Sequence, residues 1–189
     1  MNLVKRPSGI KTLVKANALS LLISLGSILI SCSHESTEIT AEIIHDTSEG
    51  NDFRGVNIGD PPSKVSSTEM ATSVYSMPDE LIYRIGAGRK DSTWYEINYG
   101  FADNGLNNIE LSVFLWSQSK ALDLRNEFRA LYSERYGECR IHDEFCSWST
   151  ITANGKDAVI YLTDPITIKD PITTTDKCKL VIQFREASR

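Results

Sequence analysis

Cysteines, histidines and paired carboxylates are the side chains here best equipped for covalent, metal or acid–base chemistry, and their spacing sorts them. The four cysteines stand at Cys32, Cys139, Cys146 and Cys178. Cys139 and Cys146 bracket Arg140-Ile141-His142-Asp143-Glu144-Phe145, whose polar centre reads as a turn. Folding about that centre sets the two cysteines opposite each other on adjacent strands, at separations a disulfide can close. Cys146 with Cys178, or free thiols throughout, are the other arrangements the count allows. A zinc set of Cys139, His142, Cys146 and Cys178 is chemically conceivable, but its spacing matches no common structural site. His34, His45 and His142 stand apart, without the spaced partners of a Ser/His/Asp or Cys/His site. Gly86-Ala87-Gly88-Arg89-Lys90 lacks the fuller spacing of a phosphate loop and a helix after it, and reads as a strand-to-loop turn. Asp79-Glu80 and Asp143-Glu144 are adjacent carboxylates in turns, a pattern of solvated surface more than of acid–base work. The expectation is no catalytic residue, no metal and no cofactor.

Cys32 is different because of what precedes it. Residues 1–15 carry Lys5, Arg6, Lys11 and Lys15 and no acid, and Ala16–Ile30 is apolar or small apart from Asn17 and the serines. That is the layout of an export signal. Fifteen helical residues span about 22 Å, short of the roughly 20 residues a stable membrane span needs. The run closes on Leu29-Ile30-Ser31-Cys32, which resembles the lipobox of bacterial lipoproteins. The resemblance implies a diacylglycerol thioether on Cys32, cleavage between Ser31 and Cys32, and acylation of the new amino group. A small side chain at Ser31 lets the peptidase reach the bond, and the thiolate of Cys32 takes the lipid. Three acyl chains at about 0.8 kcal/mol per buried CH₂ make such an anchor effectively permanent. Ser33, not Asp, follows the cysteine, so nothing resembles an inner-membrane retention signal; the expected location is the outer membrane, facing the periplasm.

Removing residues 1–31 removes four of the 20 basic residues and none of the 25 acidic ones, leaving 16 − 25 = −9. A mature chain this acidic, without a basic stripe, is a poor polyanion binder, which argues against nucleic acid. The remaining 189 − 31 = 158 residues suffice for one domain with a real core.

The elements that must position any site follow from periodicity. Residues 32–52 are rich in Ser, Thr, Glu, Asp and Gly and read as a lipidated N-terminus and flexible tether, although Ile39, Ile43 and Ile44 offer a segment that can dock on the body. The folded domain is expected over residues 53–189. Asp60 is placed to N-cap a short helix that opens at Pro61. Runs at Thr72–Ser76 and Leu81–Ala87 follow, the second a strand. Tyr95, Ile97, Tyr99 and Phe101 alternate with polar residues, as do Ile109, Leu111, Val113 and Leu115, across the turn Ala102-Asp103-Asn104-Gly105; this is a hairpin with one buried face. A helix begins at Ser117 or Ser119, buries Ala121, Leu124, Phe128, Leu131 and Tyr132, and ends at Gly137. Strands are expected at Cys139–Ile141, Phe145–Ile151, Ala158–Thr163 and Lys177–Glu186. Asp164 to Asp176, with two Asp-Pro steps, reads as an extended loop. The order predicts an α+β, two-layer fold: an antiparallel sheet with one short and one longer helix on one face.

Gly55-Val56-Asn57-Ile58-Gly59-Asp60 leading into a helix, then Tyr99-Gly100-Phe101-Ala102-Asp103-Asn104-Gly105-Leu106, resembles the small envelope lipoproteins of the SmpA/BamE and β-lactamase-inhibitor-protein-like group. The likeness covers most of Phe53–Gly137. It implies a non-enzymatic envelope binding domain. The longer helix and further meander after the hairpin depart from that group, so its assembly role is not implied and no interface residue is carried over.

Trp94, Phe114 and Trp116 fall on the hairpin face opposite the core set, with Trp148 near the cysteines. They are expected either to lie under a covering element or to form an interaction surface. The sequence thus leads to a lipid-anchored, non-catalytic interaction or structural module whose partners are the membrane and an envelope protein. An inhibitor of a secreted or envelope hydrolase, of lysozyme or β-lactamase type, is the alternative, since the acidic charge would steer a basic enzyme.

Overall fold

The computed structural model describes residues 42–43, 51–86 and 93–187. The chain divides into two units, Met1–Glu35 and Ser36–Arg189, and every described residue lies in the second. Among the described residues there are nine strands: β1 Ser73–Met77, β2 Glu80–Ile85, β3 Trp94–Ala102, β4 Gly105–Leu115, β5 Arg140–Ile141, β6 Phe145–Ile151, β7 Asp157–Thr163, β8 Ile166–Lys169 and β9 Asp176–Glu186. They form one antiparallel sheet in the order β1-β2-β3-β4-β9-β7-β6-β5, with β8 also on β9. Helices α1 Pro62–Thr68 and α2 Gln118–Tyr136 complete an α+β fold.

Register decides which residues share a face. Leu81 pairs with Tyr99, Tyr83 with Ile97, Ile97 with Leu111, Leu111 with Ile182 and Ile182 with Leu162. All of them are buried in one hydrophobic core. Ala121, Leu124, Phe128 and Tyr132 of α2 are buried in the same core. The opposite face of the central strands carries polar pairs: Arg84–Glu96 at 2.6 Å, Asn98 to Glu80 at 2.6 Å, Gln183 to Asn108 at 2.9 Å and Lys179–Glu110 at 3.7 Å. One buried face and one hydrated face are what alternation in an antiparallel sheet provides.

Several expectations are corrected. Leu131 is 36% exposed and lies off the buried stripe of α2. Asp60 does not cap α1: the N-cap is Pro61, and the Asp60 carboxylate instead accepts from the Asn57 amide at 2.8 Å. This closes a tight turn ahead of the helix, which Pro62 then opens. Strand β8 lies within the segment expected to be loop, because Ile166-Thr167-Ile168 finds the free edge of β9. Strand β2 stops at Ile85. Gly137 ends α2 at φ 85 and ψ −173, not in the ordinary left-handed well; this region is open essentially to glycine alone. Ser117 caps α2 as expected, accepting from Lys120 N at 3.5 Å.

Candidate functional site

The most elaborate polar arrangement grows from a turn at the start of the body. Phe53 and Val56 form a two-residue bridge around Arg54 (φ 45) and Gly55 (φ 79), the backbone signature of a tight type I′ hairpin. The turn directs Arg54 inward, where only 4% of it remains exposed. Its Nε donates to Glu69 Oε1 at 3.1 Å and its Nη2 to Glu69 Oε2 at 3.2 Å. The remaining Nη1 donates to the carbonyls of Glu42 and Ile43 at 2.9 and 2.8 Å. Tyr99 donates its hydroxyl to Glu69 Oε1, and Tyr95 to Glu42 Oε1 at 3.4 Å.

The electrostatics follow from burial. Desolvation alone would lower the Arg54 pKa, but the Glu69 carboxylate more than offsets it and the guanidinium is held charged. Desolvation pushes the Tyr95 hydroxyl up to about 12. Tyr99 goes well above its ordinary value through burial and then the adjacent Glu69 charge. A fork-shaped cation holding a carboxylate bidentately and two carbonyls besides is a clamp. It fastens the segment around Glu42-Ile43, with Ile43 fully buried in the core. The tether expected over residues 32–52 therefore contains a docked portion. A cavity of ≈ 300 Å³, lined by Glu42, Arg54, Met70, Ala71, Ile85 and Tyr95, adjoins the clamp.

A second concavity of ≈ 690 Å³ opens among the hairpin tips, lined by Gly59, Asn104, Gly105, Lys156, Arg185 and Glu186 among others. Lys156 and Glu186 pair across it at 2.9 Å. Its rim is held by Gly59 N to Leu106 O at 2.6 Å and Leu106 N to Asp60 O at 2.8 Å. A Cβ on Gly105 would stand 3.3 Å from the Gly59 carbonyl, so the motif glycines serve this close approach. Asp52 braces the same region, accepting from Ile58 N at 2.9 Å and Ala153 N at 3.1 Å. Desolvation nevertheless raises its pKa.

Trp94 and Phe114 are stacked at 3.9 Å and lie 2% and 4% exposed. The Trp94 indole donates to Asp170 at 2.8 Å, Arg84 sits over Trp94, and Lys179 sits over Phe114. These two are thus a small outer-face core rather than an open surface. Trp116, beyond the end of β4, is 58% exposed with Lys120 over its ring. Trp148 is buried and donates to the Gly137 carbonyl at 3.0 Å.

Cys139 and Cys146 are free thiols. The register sets Ile141, not Cys139, directly opposite Cys146, so the cysteines are diagonal neighbours on one face. Burial, then the Cys139 contact, pushes the Cys146 thiol up to about 12. Cys178 is elsewhere: Cys146 aligns with Leu162 and Leu162 with Ile182, four residues along β9 from Cys178, or roughly 13 Å by strand rise. That separation rules out a Cys146–Cys178 bridge. His142 is exposed, beside Ser147 at 3.2 Å and stacked on Phe145. Asp79, Asp143 and Glu144 are exposed, while Glu80 is engaged by Asn98. Ser31 and Cys32 lie outside the described residues. Among the described residues no group of three His, Cys, Asp or Glu side chains is placed to hold a metal, and no helix is long and apolar enough to cross a membrane.

Arg54 and Glu69 were not legible as a pair: they lie 15 residues apart with no periodic relation. The one available signal was a long cationic side chain between Phe53 and Gly55, at a turn facing an apolar core. No family model, curated protein or solved structure matches the chain.

Proposed function

We propose that this chain is a lipid-anchored cell-envelope protein, acylated at Cys32 and carried on the outer membrane facing the periplasm. Its α+β body serves as a non-catalytic protein-interaction or structural module. The observation that carries the reading is the register of basic segment, apolar run and Leu29-Ile30-Ser31-Cys32. The Arg54 clamp supports it, since it grips the chain at Glu42-Ile43, 42 − 32 = 10 residues after the anchoring cysteine. Tension on the anchor would then reach a buried, bidentate ion pair instead of a loose end. Capture of envelope proteins on the mature acylated protein, solubilised in mild detergent, tests the module. A stoichiometric envelope-assembly or structural component is the expected result. Turnover of a substrate by the purified protein would contradict it.

The inhibitor reading is favoured by one feature of its own. The β3–β4 turn at Asp103 (φ 51) and Asn104 (φ 63) and the β6–β7 turn at Gly155 (φ 75) stand together beside the ≈ 690 Å³ concavity, on a mature chain of charge 16 − 25 = −9. Paired turn tips suit the cleft of an enzyme, and the net negative charge of the chain would steer a basic one; recovery of a basic hydrolase in the same capture would select this reading.

A further inference from the structure

Exposed large apolar side chains gather at one rim of the sheet. Strand β1 is terminal in the sheet, and Val74, Tyr75 and Met77 are 52%, 45% and 51% exposed; Met70, just ahead of it, is 84% exposed. Tyr75 and Met77 align with Ile82 and Glu80 on the hydrated face. Met70 lines the cavity of the clamp with Glu42 and Arg54. The rim is therefore apolar along the strand and at the point where the N-terminal segment docks.

Two coverings compete: a strand added to the open backbone of β1, or a lipid surface. A regular added strand needs a regular edge. β1 has five residues, is followed by Pro78, and shifts register between Ser73 and Tyr75. A short, bulged strand next to proline is how sheets discourage strand addition. The chain ahead of the body favours lipid. Glu42 shares its cavity with Met70 and follows Cys32 by 42 − 32 = 10 residues. Ten residues of chain reach at most about 36 Å. A folded unit the size of Ser36–Arg189 has a radius of gyration of about 15 Å, so the tether is no longer than the body is wide.

We propose that the β1 rim, with Met70, Val74, Tyr75 and Met77, rests on the phospholipid surface. The inference depends on the acylation of Cys32 proposed above. The side chains reach the base of the headgroup layer, while the edge of β1, which pairs with no further strand among the described residues, stays at a depth where water remains, because deeper burial would strand its polar groups.

Methionine oxidation reads this directly. Met70 and Met77 are the methionines of the mature protein, and Met1 in the leader is told apart by its peptide. The acylated protein in phosphatidylethanolamine–phosphatidylglycerol vesicles and the full chain carrying Cys32→Ala without vesicles are treated with hydrogen peroxide, and peptide masses give the rate at each methionine. Both methionines are expected to oxidise about threefold or more slowly in vesicles. Equal rates on protein whose acyl chains are confirmed by mass would overturn the rim's assignment and leave the anchoring intact. Protection of the vesicle-free variant that disappears on dilution would assign the rim to a second copy instead. Absence of acyl chains would defeat the anchoring reading and this inference together, and it is seen in the mass before oxidation begins.

Discussion

At the scale of single residues, the sequence offered cysteines and aromatics while the structure offers an arginine. Arg54→Met would leave the Glu69 carboxylate buried without its cation, a loss of about 3–5 kcal/mol in urea unfolding. Adding Glu69→Met should recover much of it, whereas additive losses would mean that the two residues are not coupled. The Tyr132 hydroxyl is buried with no hydrogen-bond partner among the described residues. Tyr132→Phe should therefore stabilise the fold, by about 1 kcal/mol if the desolvation cost is typical, and a fall in melting temperature would contradict that. The aromatics were readable in type but not in fate. Trp94 and Phe114 do occupy the face opposite the core, yet Asp170, far along the chain, supplies the partner that buries the indole. No local pattern around Trp94 announces that contact.

At the scale of elements, legibility tracked period. The β3–β4 hairpin was readable because alternation and a type I′ turn agree, with Ala102 paired to Gly105. Strand β8 was hidden by proline on its flank, and its existence depends on the edge that β9 offers. In α2 the spacing identified the buried face to within one residue. Phe128→Ala should cost about 3–5 kcal/mol, while Leu131→Ala, on the rim of the same helix, should cost a small fraction of that. Comparable melting temperatures for the two variants would show that the stripe is wrongly assigned. Docking of the tether at Ile43 was one of two readings the sequence left open, because isoleucines within a polar stretch show that a segment can dock but not where. What fixes it is Arg54, which reaches the Glu42 and Ile43 carbonyls from a turn eleven residues on.

At the scale of the whole molecule, the α+β class followed from element order, but the placement of β9 between β4 and β7 did not, since it joins strands distant in the chain. Buried tyrosines give the fold a collective pH response. Tyr95 is pushed up to about 12, and Tyr99, Tyr132 and Tyr136 are raised as well, in each case chiefly by burial. In the unfolded chain tyrosine ionises near pH 10. Their contribution is therefore fully present below about pH 10 and is lost as pH rises toward about 12, at up to about 1.4 kcal/mol per pH unit for each buried tyrosine. Urea midpoints should hold steady to about pH 9 and then fall steeply; a flat profile through pH 11 or so would contradict the burial of these hydroxyls.

The proposed function rests on a sulfur-borne anchor at Cys32. The direct measurement is the intact mass of the protein recovered from membranes. The predicted species starts at Cys32, spans 189 − 31 = 158 residues, and carries a diacylglycerol and an amide-linked acyl chain, while Cys32→Ala retains its leader and gains no lipid. A membrane-recovered product that keeps residues 1–31, or one that begins elsewhere without fatty acid, would contradict the account.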